Sequence, residues 1–219
     1  MEAEKIDIRI LLLSLAAVIL VEMGTRALVS FDIASPIALT GAARLIEISL
    51  ILVIVITWGK GIDSLGLSGA TIASGFTRGL LWSTAFGVVA AAVFGIVYAA
   101  GANPLELIHT RLPEEHSEII LFFLVGGVVA PVAEEILFRG VIYGFFRRWG
   151  IVTAIIVSTI IFVLAHAIFS RIPVTQAVGG ILFALAYEVE ENLIVPITIH
   201  ILGNFAIFIL GSGIALACL

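Results

Sequence analysis

Charge is scarce in this chain. Only 12% of its 219 residues are Asp, Glu, Lys or Arg, and their balance is −5. A soluble domain carries about 25% charged residues, so an ordinary water-facing surface is excluded. No cluster of Lys and Arg forms a basic patch, which excludes nucleic acid as a partner. Cysteine is nearly absent. The single one, Cys218, supports neither a disulfide framework nor a Cys-ligated zinc site. It is not fourth from the C-terminus, so the chain does not itself read as a prenylation substrate. A cleavable signal peptide is also missing. The first apolar run is too long and has no clear small-residue cleavage site, so it reads as a retained span.

Hydrophobic residues make up 61% of the chain, and mean hydropathy is +1.24. An all-α, polytopic membrane helix bundle is expected. Apolar runs near 8–29, 37–58, 72–100, 119–146, 151–169, 175–187 and 193–216 give about seven transmembrane helices, with room for an eighth. Residues 1–116 read as N-terminal helices and loops, and residues 117–219 as a helical core in the last four spans. Both parts form one membrane-embedded domain. Lys5, Arg9, Lys60, Arg147 and Arg148 fall on one side, and Arg111 and Arg171 on the other. This bias puts the N-terminus in the cytoplasm, in the plasma membrane if the source is prokaryotic.

The connections are mostly bland. Residues 59–69 include Gly66-Leu67-Ser68-Gly69, which formally matches a G-x-S-G serine-protease string. It is not embedded in an apolar run, so a flexible surface loop with a capping serine is expected. The loop at 101–117 holds His109, Glu114, Glu115 and His116, whose spacing fits no common metal pattern. Glu188, Glu190 and Glu191 read as a solvated helix end, or else as a docking point for a basic substrate segment.

Charges inside the spans carry more information, because each costs roughly 2.5–3.5 kcal/mol near a helix centre. Glu22 and Arg26 are four apart and read as a neutralised pair. Arg44 and Glu47, three apart, read the same way. The run at 130–140 places Glu134, Glu135 and Arg139 within six residues. Glu135 and Arg139 can pair across one turn. Glu134 points about 100° away and is free to face something else. Pro131 removes a backbone hydrogen bond nearby and should kink or open the helix.

The next spans supply partners. Phe162-Val163-Leu164-Ala165-His166 places a histidine in an apolar helix, and His200 and Asn204 share one helix face. If these converge, a carboxylate, two imidazoles and a carboxamide meet in one buried site. No activated serine or cysteine accompanies them, so a covalent acyl intermediate is not favoured. A carboxylate with a histidine can deprotonate water. A histidine and an asparagine N–H can stabilise an oxyanion. The kit suits peptide hydrolysis within the membrane. Glu134, His166 and His200 would also suit zinc with an open position, although the compact H-E-x-x-H string is absent. Buried Glu and His also mark proton relays, but the discontinuous-helix repeat of many transporters is not evident.

Three strings, in order on successive helices, resemble a known family: Glu134-Glu135-Ile136-Leu137-Phe138-Arg139 (E-E-x-x-x-R), Phe162 to His166 (F-x-x-x-H) and His200 to Asn204 (H-x-x-x-N). They are similar to those of the CPBP, or ABI, family of type II CAAX prenyl endopeptidases and bacteriocin-processing or immunity proteins. Phe138-Arg139-Gly140-Val141-Ile142-Tyr143-Gly144 and Tyr187-Glu188 add to the likeness, which covers about residues 117–210. The resemblance implies an intramembrane endopeptidase acting on a peptide or protein, prenylated or membrane-anchored. It implies that Glu134 and His166 activate water, and that His200 and Asn204 form the oxyanion hole. Glu135, Arg139 and Phe162 would support them. No catalytic metal is favoured; zinc is the alternative. A non-catalytic immunity or scaffold protein is the competing function.

Overall fold

The computed structural model describes residues 6–108, 110, 112–166 and 174–217. Lys5, His109, Arg111, Arg171 and Cys218 lie outside the described residues. Seven main helices follow one another: α1 (Ile8–Ser30), α2 (Pro36–Trp58), α3 (Ile72–Ala99), α4 (His116–Trp149), α5 (Ile151–His166), α6 (Val174–Glu190) and α7 (Ile194–Ala217). Among the described residues there is no strand. The expected all-α bundle is what forms. Among the described residues, five helices are long and apolar enough to cross a membrane: α1, α2, α3 with its lead-in turn, α4 and α7. The described parts of α5 and α6 are apolar but shorter.

The local signals act where the chain needs them. The Asp7 side chain accepts from the Ile10 N–H and starts α1. Pro36 opens α2 at a position where its missing N–H costs nothing. Gly150, at φ 103°, breaks α4 from α5.

Helix α4 is the axis. Its stretch from Ile136 to Phe145 is buried on nearly every side, with Ile136, Phe138, Val141, Ile142, Tyr143 and Phe145 in the core. Ile6 and Ile10 cover it from the N-terminus, Ile51 and Val55 from α2, Ala154 and Phe162 from α5, Ala184 and Tyr187 from α6, and Ile197 from α7. Helix α3 stands outside and docks on α7. Gly75 and Gly79 make that docking close. A Cβ on Gly79 would lie 2.5 Å from the Thr198 Cβ, so only glycine fits.

Helix α4 is not a regular α-helix. It widens into π-helix at Val125–Val129 and again at Ile136–Tyr143. The expected disturbance at Pro131 thus takes the form of an inserted wide turn rather than a sharp kink. The Ala130 N–H reaches back five residues to the Val125 carbonyl. The next such bond would run from residue 131 to the Gly126 carbonyl, and proline has no hydrogen to donate. Gly126 therefore offers a free acceptor about two turns before the glutamates.

Three sequence expectations are corrected. Glu22 pairs not with Arg26 but with Arg44 of α2, at 2.6 Å, and Arg44 also holds Glu47 at 2.5 Å. Contact between adjacent antiparallel helices brings the two heads together more closely than one turn of α1 does. Residues 59–69 are not a free surface loop. Leu65 is fully buried, Tyr187 Oη donates to the Leu65 carbonyl at 3.0 Å, and the Leu193 N–H donates to the Gly66 carbonyl at 3.0 Å. Ser68 makes no side-chain cap. The acidic end of α6 is not a spare docking point. Arg147 and Tyr143 hold Glu188, and Arg78 and Trp82 hold Glu190.

The glycine contacts lead to a stability test. Gly79→Ala should destabilise the protein by about 1–3 kcal/mol. Gly87→Ala, whose added Cβ meets nothing within 4 Å, should be neutral or slightly stabilising. Thermal unfolding in detergent micelles separates the two.

Candidate active site

The site is built around adjacent glutamates with different surroundings. Glu135 has no exposed surface and neither does Arg139. Their side chains meet across one helical turn, with Arg139 Nη1 donating to Glu135 Oε1 at 3.0 Å. Arg139 Nη2 then reaches to α6 and donates to the Gly180 carbonyl at 3.1 Å. The guanidinium also lies over the rings of Phe162 (4.7 Å) and Phe183 (5.1 Å). These faces replace some of the hydration the cation loses. Gly180 permits this approach, because a Cβ there would sit 2.9 Å from Thr159 Cγ2 of α5.

Glu135 also fixes His200. The His200 Nδ1–H donates to Glu135 Oε1 at 2.7 Å. The ring stacks on Phe183, with centroids 4.6 Å apart and planes 22° from parallel. The family resemblance gives Glu135 a supporting role. In the structure its direct partners are Arg139 and the α7 histidine.

Glu134 faces elsewhere. Its Oε2 is buried and makes no hydrogen bond within the described residues. Two imidazole nitrogens face that oxygen: His166 Nε2 at 3.6 Å and His200 Nε2 at 3.8 Å. The two rings are oriented alike. His166 Nδ1 lies 2.8 Å from the Phe162 carbonyl, which can only accept, so Nδ1 carries the proton. Both rings thus spend Nδ1–H on a fixed partner and turn Nε2 toward Glu134. His166 is the most open of the three, with its side chain 29% exposed against 16% for Glu134 and 8% for His200.

Asn204 stands one turn beyond His200 and donates through Nδ2 to the Gly126 carbonyl at 2.8 Å. That carbonyl is the acceptor left open by Pro131. An acceptor at this point also settles which end of the carboxamide faces it. Phe205 and Phe208 of α7 close on Gly127 and Gly126, which seats this part of α7 against the wide turn.

The structure therefore brings together Glu134, Glu135, Arg139, Phe162, His166 and His200, from three helices, with Asn204 one turn beyond His200 on the Gly126 carbonyl. Gly180, Phe183 and the Gly126 carbonyl belong to the same cluster and are absent from the sequence reading. Only inter-helix contact reveals them. Donors in a tetrahedral zinc site lie roughly 3.4 Å apart, given bonds of about 2.0–2.1 Å. Both histidine–glutamate separations are longer. Among the described residues, no group of three or more His, Cys, Asp or Glu is arranged to hold a metal ion.

Removing the cation should strand the Glu135 carboxylate. Arg139→Met is expected to destabilise the protein by about 3–5 kcal/mol. Glu135→Gln combined with Arg139→Met should recover much of that loss. Denaturant or thermal unfolding in micelles measures both.

Comparison with known proteins gives a consistent result. Residues 116–206 match the family described as type II CAAX prenyl endopeptidase Rce1-like. The chain is 32% identical over 138 residues to the membrane-embedded CAAX protease MroQ of Staphylococcus aureus (strain USA300), covering 59% of this chain and 53% of that protein. It is 28% identical over 149 residues to YdiL of Bacillus subtilis (strain 168), which carries a provisional membrane-peptidase name; the match covers 68% of this chain and 58% of that protein. The chain thus spans a little over half the length of these curated relatives. No solved structure matches. The matched region holds α4, α5, α6 and most of α7, the helices that bear the cluster. The chain is thus an integral membrane protein, by its long apolar helices, and is similar over residues 116–206 to the Rce1-like CAAX protease family.

Proposed function

We propose that the chain is an intramembrane endopeptidase in which Glu134 and His166 activate a water molecule. The observation that carries this reading is the unpartnered, buried Glu134 oxygen facing two Nε2 atoms at 3.6 and 3.8 Å. A separation beyond 3.5 Å suits a bridging water. Glu134 takes the water's proton as the oxygen attacks the peptide carbonyl, and later delivers it to the leaving amine. The tetrahedral oxyanion is met by the second N–H of the Asn204 carboxamide, whose first is spent on Gly126. His200 contributes a donor only when protonated on both nitrogens, since Nδ1–H is committed to Glu135. Glu135 is then the counter-ion that makes a doubly protonated ring tolerable beneath the developing charge.

The substrate class we favour is a peptide bond near the C-terminus or membrane anchor of a protein, prenylated or not. Glu134 lies about midway along the 34-residue α4, so the scissile bond would have to enter the bilayer. The basic residues near Lys60 and 147–148 support a cytoplasmic N-terminus. The reaction is proposed to run without a metal, since the donor set as placed does not close around one.

The test is cleavage of membrane-anchored peptides co-reconstituted with the protein in liposomes, read by mass spectrometry of the fragments. Glu134→Gln should lower turnover by about 10²–10⁴-fold and Asn204→Ala by about 10²–10³-fold, with both proteins folded. Full turnover by Glu134→Gln would overturn the reading; absence of cleavage by the wild type, with biological activity kept in Glu134→Gln, would favour a non-catalytic immunity or scaffold role. Tightly retained zinc in active, chelator-treated protein would replace the metal-free mechanism with a metal-assisted one.

A further inference from the structure

Phe183 has no task in the mechanism so far, yet it touches the α4 guanidinium and the α7 imidazole together. It lies on α6, 7% exposed, in a small core with Ala186, Val195 and Ile199. Its ring face lies against His200, with centroids 4.6 Å apart and planes 22° from parallel. The Arg139 guanidinium carbon stands 5.1 Å from the centre of the same ring. Phe162 meets the imidazole differently, edge-on at 6.0 Å and 76°. The Phe183 ring folds back over its own helix, where a Cβ on Gly179 would come within 3.3 Å of it. The missing side chain at Gly179 leaves the ring room to lie there.

The charges around His200 leave a second ring proton poorly answered. Glu135 carries one negative charge, and its Oε1 accepts from Arg139 at 3.0 Å as well as from His200 at 2.7 Å. A permanent cation thus shares that counter-ion. Glu134 faces His200 Nε2 at 3.8 Å and His166 of α5 at 3.6 Å. In the proposed reaction it gives up its charge when it takes the water's proton. An aromatic face attracts a cation through its quadrupole, and more strongly where water is excluded. We infer that Phe183 is a positioning residue of the active site, whose π face holds the His200 ring and favours the doubly protonated form that donates to the oxyanion. The inference rests on the proposed oxyanion role of His200. Arg139 keeps its charge throughout turnover, so its contact with the same ring bears on stability and cancels from the rate. His200 differs, because only its protonated form donates through both nitrogens.

The experiment replaces Phe183 by 4-fluoro- and 3,4,5-trifluorophenylalanine and measures cleavage of the co-reconstituted membrane-anchored peptide in liposomes. Fluorine draws charge from the ring face and nearly keeps its shape. kcat should fall in steps, by about three- to tenfold for the trifluoro ring, with KM unchanged. Phe183→Leu removes the face and should lower kcat by about tenfold. The fluorinated rings keep the test open if Phe183→Leu does not fold. Thermal unfolding in micelles reads the part of the loss that belongs to Arg139. A kcat that holds its wild-type value across the fluorine series, or rises along it as stacking on a neutral imidazole would have it, overturns the inference. Full turnover by His200→Ala instead overturns the reading on which it rests, so the two failures are distinct.

Discussion

A guanidinium with no exposed surface, placed about two-thirds of the way along a bilayer-spanning helix, sets the terms for everything around it. Arg139 cannot keep its water, so each face needs a substitute. Glu135 supplies the counter-charge, the Gly180 carbonyl an acceptor, and Phe162 and Phe183 the ring faces. Satisfying one cation therefore ties α4 to α5 and α6. Because Glu135 also accepts a hydrogen bond from the His200 Nδ1–H, α7 joins the same network. Such a buried pair does not by itself add stability, since desolvation offsets most of the attraction. What it gains is geometry. The helices that carry the reacting groups can meet in few other ways without leaving a charge bare.

The second constraint is the proline. In a regular helix, Pro131 would clash with the turn before it and leave a carbonyl unmatched. The wide turn at Val125–Val129 relieves the clash, and Asn204 takes the carbonyl. An unmatched backbone group in a bilayer is costly. Here that cost is removed by Asn204, a side chain from another helix, which is thereby seated against the wide turn. A local defect in α4 thus orients a proposed oxyanion donor on α7.

Contacts within one helix were legible in the sequence, and contacts between helices were not. The Glu135–Arg139 pair follows from their spacing of four. The separate outlook of Glu134 follows from its 100° offset. His166, His200 and Asn204 stood out because polar groups are rare in such apolar runs. Spacing failed at Glu22, where Arg44 from the neighbouring helix displaced the nearer Arg26. It failed at Leu65, whose burial under Tyr187 and Gly140 depends on how α4 and α6 come together. Gly180 and Phe183 carried no signal, since a glycine and a phenylalanine in an apolar helix look like packing. Pro131 announced a disturbance, but its form as a π turn was set by Gly126 and Gly127 accepting the rings of Phe208 and Phe205.

The clamp on His200 limits how protons can travel. The ring lies flat on Phe183, edge-on to Phe162 at 6.0 Å, with Nδ1 anchored on Glu135. To flip, it would have to break its shortest hydrogen bond and sweep through an aromatic wall. A relay that ferries protons across a membrane by ring rotation is therefore closed to this histidine. Any proton it passes must enter and leave within the same pocket, through bonds already aligned. The imidazole is a fixed terminal rather than a carrier, which suits a chemistry that returns its proton within each turnover.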